Sequence, residues 1–150
     1  MSDVDGRLAD ADARDRIAED LDTTLFVEAA AGTGKTTELV NRMISLVRSG
    51  RAQLEGMVAV TFTEAAAGEL KLRLREEIER CRNAEGSDPT EQARFAKALE
   101  QLEVAHIGTI HGFCGDVLRE YPIEAGIDPA FEVAPEEPSR GLQDRAFDDW

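Results

Sequence analysis

The stretch EAAAGTGKTT, residues Glu28–Thr37, decides the fold of this chain. It continues a short apolar run, TLFVEA at Thr24–Ala29, whose length and character predict a buried β-strand. It leads into Lys35–Arg48, where Leu, Val, Met and Ile side chains recur at helical spacing. The sequence therefore predicts a strand, a glycine-containing turn and an amphipathic helix in direct succession.

The same order of elements recurs further along the chain. Met57–Phe62 (MVAVTF) predicts a second strand, and Glu64–Arg82 predicts a long amphipathic helix. Asp88 is placed to cap the start of another helix. Glu103–Gly108 predicts a third short strand, and Thr109 is expected to cap the helix that follows it. Repeated strand and helix units predict an α/β fold, a parallel sheet with helices on both faces.

The turn in the first unit has the chemistry of a phosphate loop. It matches the pattern G-x-x-x-x-G-K-[ST], with Ala29 at the first glycine position. Gly32 and Gly34 permit the positive φ angles that turn backbone N–H groups around a triphosphate. Lys35 can bring a charge to the β- and γ-phosphates, and the Thr36 hydroxyl can ligate Mg²⁺.

We therefore predict a site for ATP and Mg²⁺, in which Lys35 and Thr36 are the catalytic residues and Thr36 is the metal ligand. The predicted nucleotide-binding residues are Ala30, Ala31, Gly32, Thr33, Gly34, Lys35, Thr36 and Thr37.

Two more predicted strand ends carry polar residues, where open α/β sheets usually bind ligands. Thr61 and Thr63 flank Phe62, and a hydroxyl can bond a phosphate while a phenyl ring stacks on a base. Thr109 and His111 occupy the second strand end. Composition alone favours a structural alternative, in which Phe62 completes a core strand, Thr63 caps the next helix and His111 is a surface or capping histidine.

The charge of the chain argues against nucleic-acid binding by bulk electrostatics. The 150 residues include 31 acidic and 17 basic ones, for a formal net charge of −14. The acidity lies chiefly at the two ends, because residues 21–82 carry nine acids and nine bases. That middle segment holds a basic run, which is either a solvated helix face or a stripe that faces phosphates. The run consists of Lys71, Arg73, Arg75, Arg80 and Arg82.

The chain shows no sign of export or of a membrane anchor. No apolar run approaches the roughly 20 residues that span a bilayer, and the acidic N-terminus is unlike a signal peptide. Cys81 and Cys114 form no CxxC pair, and we expect both to be small core residues. The expected compartment is the cytoplasm, without membrane contact.

Three motifs together resemble those of UvrD/Rep-like superfamily 1 DNA helicases, most closely the RecB/AddA-type helicase subunit of ATP-dependent exonucleases. EAAAGTGKTT resembles the Walker A motif, VTFTEAAAGELKLRL resembles motif Ia, and TIHGFC resembles motif Ib. The resemblance implies a P-loop NTPase with a RecA-like sheet. It also implies an enzyme that couples ATP hydrolysis to 3′–5′ DNA unwinding in recombination or repair.

The resemblance carries roles to particular residues. It implies that Thr61, Phe62, Thr63, Thr109 and His111 contact single-stranded DNA next to a duplex junction. It further implies a partner subunit of an exonuclease complex as a second kind of partner.

One departure from the family concerns recognition of the base. Members commonly have a glutamine that reads adenine shortly before the Walker A strand, and here Asp12 stands roughly at that position. A carboxylate can accept a hydrogen bond from the adenine amino group but cannot donate one as an amide does. Selectivity for ATP over GTP is therefore open, and Arg14 is a second candidate neighbour of the base.

The organisation predicted for the chain is that of an N-terminal fragment. Residues 1–134 are expected to be the first part of the helicase ATP-binding domain, and residues 135–150 the start of a helical insertion. Hydrolysis needs a further acidic motif and arginines, which in the resembled family lie beyond these residues. We therefore expect ATP binding without turnover, and any nuclease domain would lie further along. A small P-loop nucleotide kinase and a non-catalytic ATP-binding module are the alternatives.

Overall fold

The computed structural model describes residues 10–30, 32–86 and 88–132, which form two units that divide after Thr109. Ala31 of the predicted nucleotide site and the predicted insertion at 135–150 lie outside the described residues. The elements of the first unit are α1 (Ala11–Glu19), α2 (Lys35–Ser49), a 3₁₀ turn (Leu54–Gly56), β1 (Val58–Thr61), α3 (Glu64–Arg82), α4 (Pro89–Gln101) and β2 (His106–Thr109). The second unit contains α5 (Ile110–Glu120) and α6 (Pro122–Ala125).

The two strands form a parallel pair. Val58 lies opposite His106, and Thr61 lies opposite Thr109. This pairing confirms the parallel arrangement that the strand and helix order predicts. β2 begins three residues later than expected, because the chain after α4 still turns. The N–H groups of Val104 and Ala105 both bond to the Gln101 carbonyl, at 3.1 and 2.9 Å.

Helix α3 is the centre of the core. Its bounds agree with the predicted helix, and its buried residues recur every three or four positions, as one helical face requires. They are Ala67, Leu70, Leu74, Ile78 and Cys81. Most of this face packs in one apolar cluster with Val40, Met43, Ile44 and Val47 of α2 and with Phe95 and Ala98 of α4. The described part of the first unit is therefore a helical layer beside a small sheet.

The sheet buries one face in this layer. Ala59 belongs to the apolar cluster, whereas its neighbours Val58 and Val60 are about half exposed. Side chains alternate between the faces of a strand, so these two valines lie on the opposite face from Ala59. Helical cover on both faces, as predicted, is not seen among the residues that the structure describes.

The prediction of a buried strand at Thr24–Ala29 is wrong in this structure. These residues have no regular secondary structure, and the Phe26 side chain is 94% exposed. A strand needs a neighbour that pairs with its backbone groups. Within the described residues, the sheet consists of β1 paired with β2. An apolar run is compatible with a strand, but it does not supply the partner.

Of the two cysteines, only Cys81 is buried as predicted. Cys114 is exposed, so its prediction as a core residue is wrong. Cys114 lies on α5, where Gly115 is the buried residue. In this second unit, the Arg119 guanidinium lies 5.2 Å from the centre of the Phe131 ring and pairs with Asp116 at 3.2 Å.

The basic run on α3 is a solvated, ion-paired face. Lys71 and Arg75 both pair with Glu103, at 2.9 and 2.5 Å. Within the helix, Arg73 pairs with Glu69, and Arg80 pairs with Glu77. Arg82 donates to the Asn83 side chain at 3.3 Å. These carboxylates already balance the charge, which favours the solvated helix face over a phosphate-binding stripe.

One of these pairs makes the stability of the fold depend on pH. The hydrogen bond from Arg80 lowers the pKa of Glu77 below its ordinary value. The stabilisation is therefore present above the pKa of the unfolded glutamate, about 4.3, and is lost as the pH falls through the lower folded pKa. We expect Glu77→Gln to lose less stability than the parent chain between about pH 6 and pH 3. Urea unfolding at both pH values measures this difference, and equal losses would contradict it.

Among the described residues, no helix combines the length and the apolar character that crossing a bilayer requires.

Candidate functional site

The phosphate loop has the backbone shape that its glycines predict. Gly32 and Gly34 have φ angles of 78° and 91°, in the left-handed region where side chains are strained. Gly34 immediately precedes α2, and its carbonyl accepts the Glu38 N–H at 3.0 Å. The first N–H groups of a helix have no partner within it, and the helix dipole makes this end positive. The start of α2 therefore suits an anion.

The Lys35 side chain folds back onto the loop that precedes it in the chain. Its Nζ donates to the carbonyl oxygens of Ala29 and Ala30, at 2.5 and 2.8 Å. The Thr33 hydroxyl donates to the same Ala30 carbonyl at 2.7 Å. An ammonium group has three protons, so two carbonyl contacts leave it donor capacity for an anion. The lysine is exposed, and its charge lies at the mouth of the loop.

Thr36 and Thr37 are exposed in the first turn of α2. Within 10–30, 32–86 and 88–132, no group of three or more His, Cys, Asp or Glu side chains could hold a metal. Mg²⁺ in nucleotide sites is commonly held by few protein ligands together with phosphates and water. The exposed Thr36 hydroxyl is a side chain that could serve as such a ligand for a magnesium ion that arrives with the nucleotide.

Arg14 of α1 reaches the phosphate loop, a contact that the sequence did not predict. Its Nη2 donates to the Thr33 carbonyl at 2.9 Å, and its Nη1 donates to Glu38 Oε1 at 2.6 Å. Nε and Nη2 also donate to Asp10 Oδ2, at 3.0 and 2.8 Å, and this hydrogen bonding lowers the pKa of Asp10. Thr33 and Glu38 lie 19 and 24 residues away from Arg14, beyond the reach of any local sequence pattern.

A second arginine, Arg42 of α2, joins α2 to the end of α1. Arg42 Nη1 donates to the carbonyls of Ile17 and Asp20, at 2.7 and 2.9 Å, and Nη2 donates to that of Thr23 at 3.1 Å. It thereby satisfies carbonyls at the end of α1, which lack helical partners. A cavity of about 530 Å³ lies beside these residues, and Lys35 and Leu39 are among the side chains that line it.

The second predicted site, at the end of β1, presents an aromatic ring to solvent. Phe62 is 90% exposed, so the alternative that it completes the core is wrong. Thr63 caps α3, because its hydroxyl accepts the Ala66 N–H at 3.2 Å, as the structural alternative holds. The Thr61 hydroxyl donates to the Thr63 carbonyl at 3.0 Å. Hydrogen bonds within the turn thus hold the backbone on both sides of the ring.

The two residues of the third predicted site, Thr109 and His111, belong to different units. Thr109 is buried, and its hydroxyl bonds to Glu64 Oε1 at 3.0 Å, which joins the end of β2 to the start of α3. Because Thr61 lies opposite Thr109, the ends of both strands meet at one edge of the sheet. His111 is exposed on α5, in the second unit. Glu64 is a residue that the sequence analysis missed, since it lies 45 positions from its partner.

Comparison with known proteins gives a consistent result. The family described as "UvrD/REP helicase N-terminal domain" matches residues 10–149. The chain is 39% identical to the A subunit of the ATP-dependent helicase/nuclease of Enterococcus faecalis over 118 residues, which are 79% of this chain and 9% of that protein. The proteins of the same name from Ligilactobacillus salivarius and Syntrophomonas wolfei are 34% and 40% identical, over 91% and 75% of this chain. These matches cover 11% and 9% of the two relatives, so the chain spans about a tenth of the curated relatives it matches.

Proposed function

The chain belongs to the UvrD/REP helicase N-terminal domain family, and from this premise we propose that it forms the ATP-binding part of a DNA helicase. The observation that carries the proposal is the loop at the start of α2, where two glycines with positive φ precede Lys35. We propose that this loop is a P-loop in a RecA-like domain. In the proposed organisation, residues 1–134 belong to that domain and residues 135–150 begin a helical insertion.

Each loop residue has a definite part in the proposed binding of ATP and Mg²⁺. Backbone N–H groups of Ala30 to Gly34 and of the first turn of α2 would bond the phosphate oxygens. Lys35 would give up a hydrogen bond to a loop carbonyl and donate to the β- and γ-phosphates instead, and Thr36 would hold the metal. Thr37 would contribute its backbone at the helix start. Bound ATP supplies the phosphoanhydride bond whose hydrolysis drives movement along DNA.

We propose that the ends of β1 and β2 contact single-stranded DNA. The exposure of Phe62 and the hydrogen-bonded turn around it support stacking on a base. The Thr63 hydroxyl uses a lone pair to accept the Ala66 N–H, so its proton can be donated to a phosphate oxygen. The Thr61 hydroxyl would first have to give up its bond to the Thr63 carbonyl before it could donate to a phosphate. His111 is exposed and can donate to a phosphate. The Thr109 side chain is buried, so we propose that this residue contacts DNA through its backbone.

The DNA proposal predicts a large effect of removing the Phe62 ring. We expect Phe62→Ala to weaken binding of single-stranded DNA by about 5- to 150-fold, because stacking one base contributes about 1–3 kcal/mol. Fluorescence anisotropy of a labelled oligonucleotide, titrated at one fixed salt concentration, measures the dissociation constant.

Phe26 provides a matched control for this experiment, since its ring is equally exposed but lies outside the proposed DNA contacts. Phe26→Ala should leave the affinity for DNA unchanged. A Phe62→Ala chain that binds DNA as well as the parent, or equal losses in both variants, would contradict base stacking at Phe62.

For the larger protein we propose the activity that the relatives' name suggests. The relatives are named as ATP-dependent and as a helicase/nuclease component. We propose 3′–5′ unwinding of DNA coupled to ATP hydrolysis, in recombination or repair, with a nuclease activity and a partner subunit. We further propose that these 150 residues bind ATP without turnover. A phosphate-release assay tests the last point, and robust DNA-stimulated release by this chain alone would overturn it.

A further inference from the structure

We propose that Arg14, through its contacts to Asp10, Thr33 and Glu38, forms a clasp that positions the phosphate loop for the triphosphate, with Arg14 as a positioning residue rather than a contact of the base. This inference rests on the proposed ATP-binding function. The clasp consists of the Arg14 guanidinium together with its acceptors on Asp10, Thr33 and Glu38. These acceptors lie at the start of α1, in the loop and in the first turn of α2.

The contact to Thr33 governs the direction of a loop N–H group. The Thr33 carbonyl and the Gly34 N–H belong to one planar trans peptide unit, so they point in opposite directions. When Arg14 holds the carbonyl, the Gly34 N–H faces away from Arg14. Gly34 leaves this peptide unit freer to rotate, because the rotation involves the φ angle of Gly34 and no side chain restricts that angle. The guanidinium therefore supplies an orientation that the glycines themselves do not.

The contact to Glu38 removes an electrostatic conflict. A carboxylate in the first turn of α2 places a negative charge close to a site for a triphosphate. Arg14 donates to one of its oxygens at 2.6 Å, and Asn41 donates to the other at 3.3 Å. The side chains of Arg14 and Glu38 are only 26% and 13% exposed, so water screens this pair less than a surface ion pair.

The clasp can be removed without removing the core. None of the residues of α1 is buried, and the apolar cluster that holds α2, α3 and α4 together does not include this helix. Arg42 still bonds the carbonyls at the end of α1 when Arg14 is replaced. An Arg14→Ala chain is therefore expected to keep its fold, with a urea midpoint close to that of the parent.

Calorimetric titration of the 150-residue chain with Mg²⁺·ATP, and separately with Mg²⁺·tripolyphosphate, tests the clasp. We expect Arg14→Ala to weaken the binding of both ligands by about 10-fold, as the loss of charge-assisted hydrogen bonds typically does. Arg16→Ala is the matched control on the same helix, since its side chain is 64% exposed and pairs with Asp20 at 3.5 Å. That variant should bind both ligands as the parent does.

The tripolyphosphate arm separates the clasp from a role in reading the base. If Arg14→Ala weakens ATP but leaves tripolyphosphate unchanged, Arg14 acts on the nucleoside and the clasp is overturned. Lys35→Ala separates the clasp from the proposed function. If Lys35→Ala binds ATP normally, the proposed nucleotide site fails; if only Arg14→Ala binds normally, the clasp alone fails.

A last pair of measurements excludes a general structural effect. The loss caused by Arg14→Ala should be smaller in a Glu38→Ala background, because that background lacks the carboxylate whose charge Arg14 neutralises. Amide hydrogen exchange should speed up in Arg14→Ala at Glu38, whose N–H bonds to the Gly34 carbonyl at 3.0 Å, with no change in the core helix α3. Additive losses in the double variant, or faster exchange throughout α3, would overturn the clasp.

Discussion

Replacing Lys35 by alanine is expected to weaken binding of Mg²⁺·ATP by about 10- to 150-fold, because hydrogen bonds to charged groups contribute about 1.5–3 kcal/mol. The lysine lies at the mouth of the loop, where its Nζ contacts the carbonyls of Ala29 and Ala30. Without it, those carbonyls would face the phosphates with no cation between them. Isothermal titration of the nucleotide into each chain measures the dissociation constant.

Lys97→Ala is the control for the loss of one positive charge from this acidic chain. Lys97 lies on α4, and its Nζ bonds to the Gln53 side chain at 2.6 Å. We expect this variant to bind ATP as the parent does. Equal affinities for the Lys35→Ala chain and the parent would refute the assignment of the loop as a nucleotide site.

The second large effect concerns the core. We expect Leu74→Ala to lower the free energy of unfolding by about 2–5 kcal/mol, the usual cost of a cavity left by a buried leucine. Leu74 is 0% exposed, in the cluster that α3 forms with α2 and α4. A loss of this size is a large fraction of the stability of a small domain. Urea unfolding followed by circular dichroism measures it.

Leu72, two residues away on the same helix, provides the comparison. Its side chain is 56% exposed and does not belong to the buried cluster. Leu72→Ala should change the unfolding free energy by no more than about 0.5 kcal/mol, as surface substitutions generally do. If the two variants lose the same stability, α3 does not present the face toward the core that the structure describes.

The residues of α3 and α4 illustrate what a local sequence pattern can predict. The buried face of α3 repeats every three or four residues, and this period is a property of the helix itself. Asp88 accepts the Thr90 N–H at 3.0 Å and so caps the start of α4, as the local pattern predicts. The positive φ angles of Gly32 and Gly34 are likewise predicted from a local pattern. Each of these features depends on atoms within a few residues of one another.

The errors concern features that depend on distant partners. The apolar run at Thr24–Ala29 predicts a strand that does not form, and Cys114 is exposed where a core residue is expected. Phe62 could be a core residue or a solvent-exposed ring on composition alone, and its 90% exposure decides between them. In each case the residue type permits two environments, and the choice depends on which other elements lie against it.

The glycine backbone angles of the phosphate loop and the helix periods thus follow from the sequence by itself, because short-range sterics and hydrogen bonding impose them. The parallel order of the strands is predicted from the helical connection between them. The long-range partners of the polar and charged side chains were decided by the tertiary structure alone. Arg14 holds Thr33 and Glu38 across 19 and 24 residues, and Thr109 bonds to Glu64 across 45. A long, flexible side chain can meet many partners of suitable charge, and only the packing of α1, α2 and α3 brings one of them within hydrogen-bond distance.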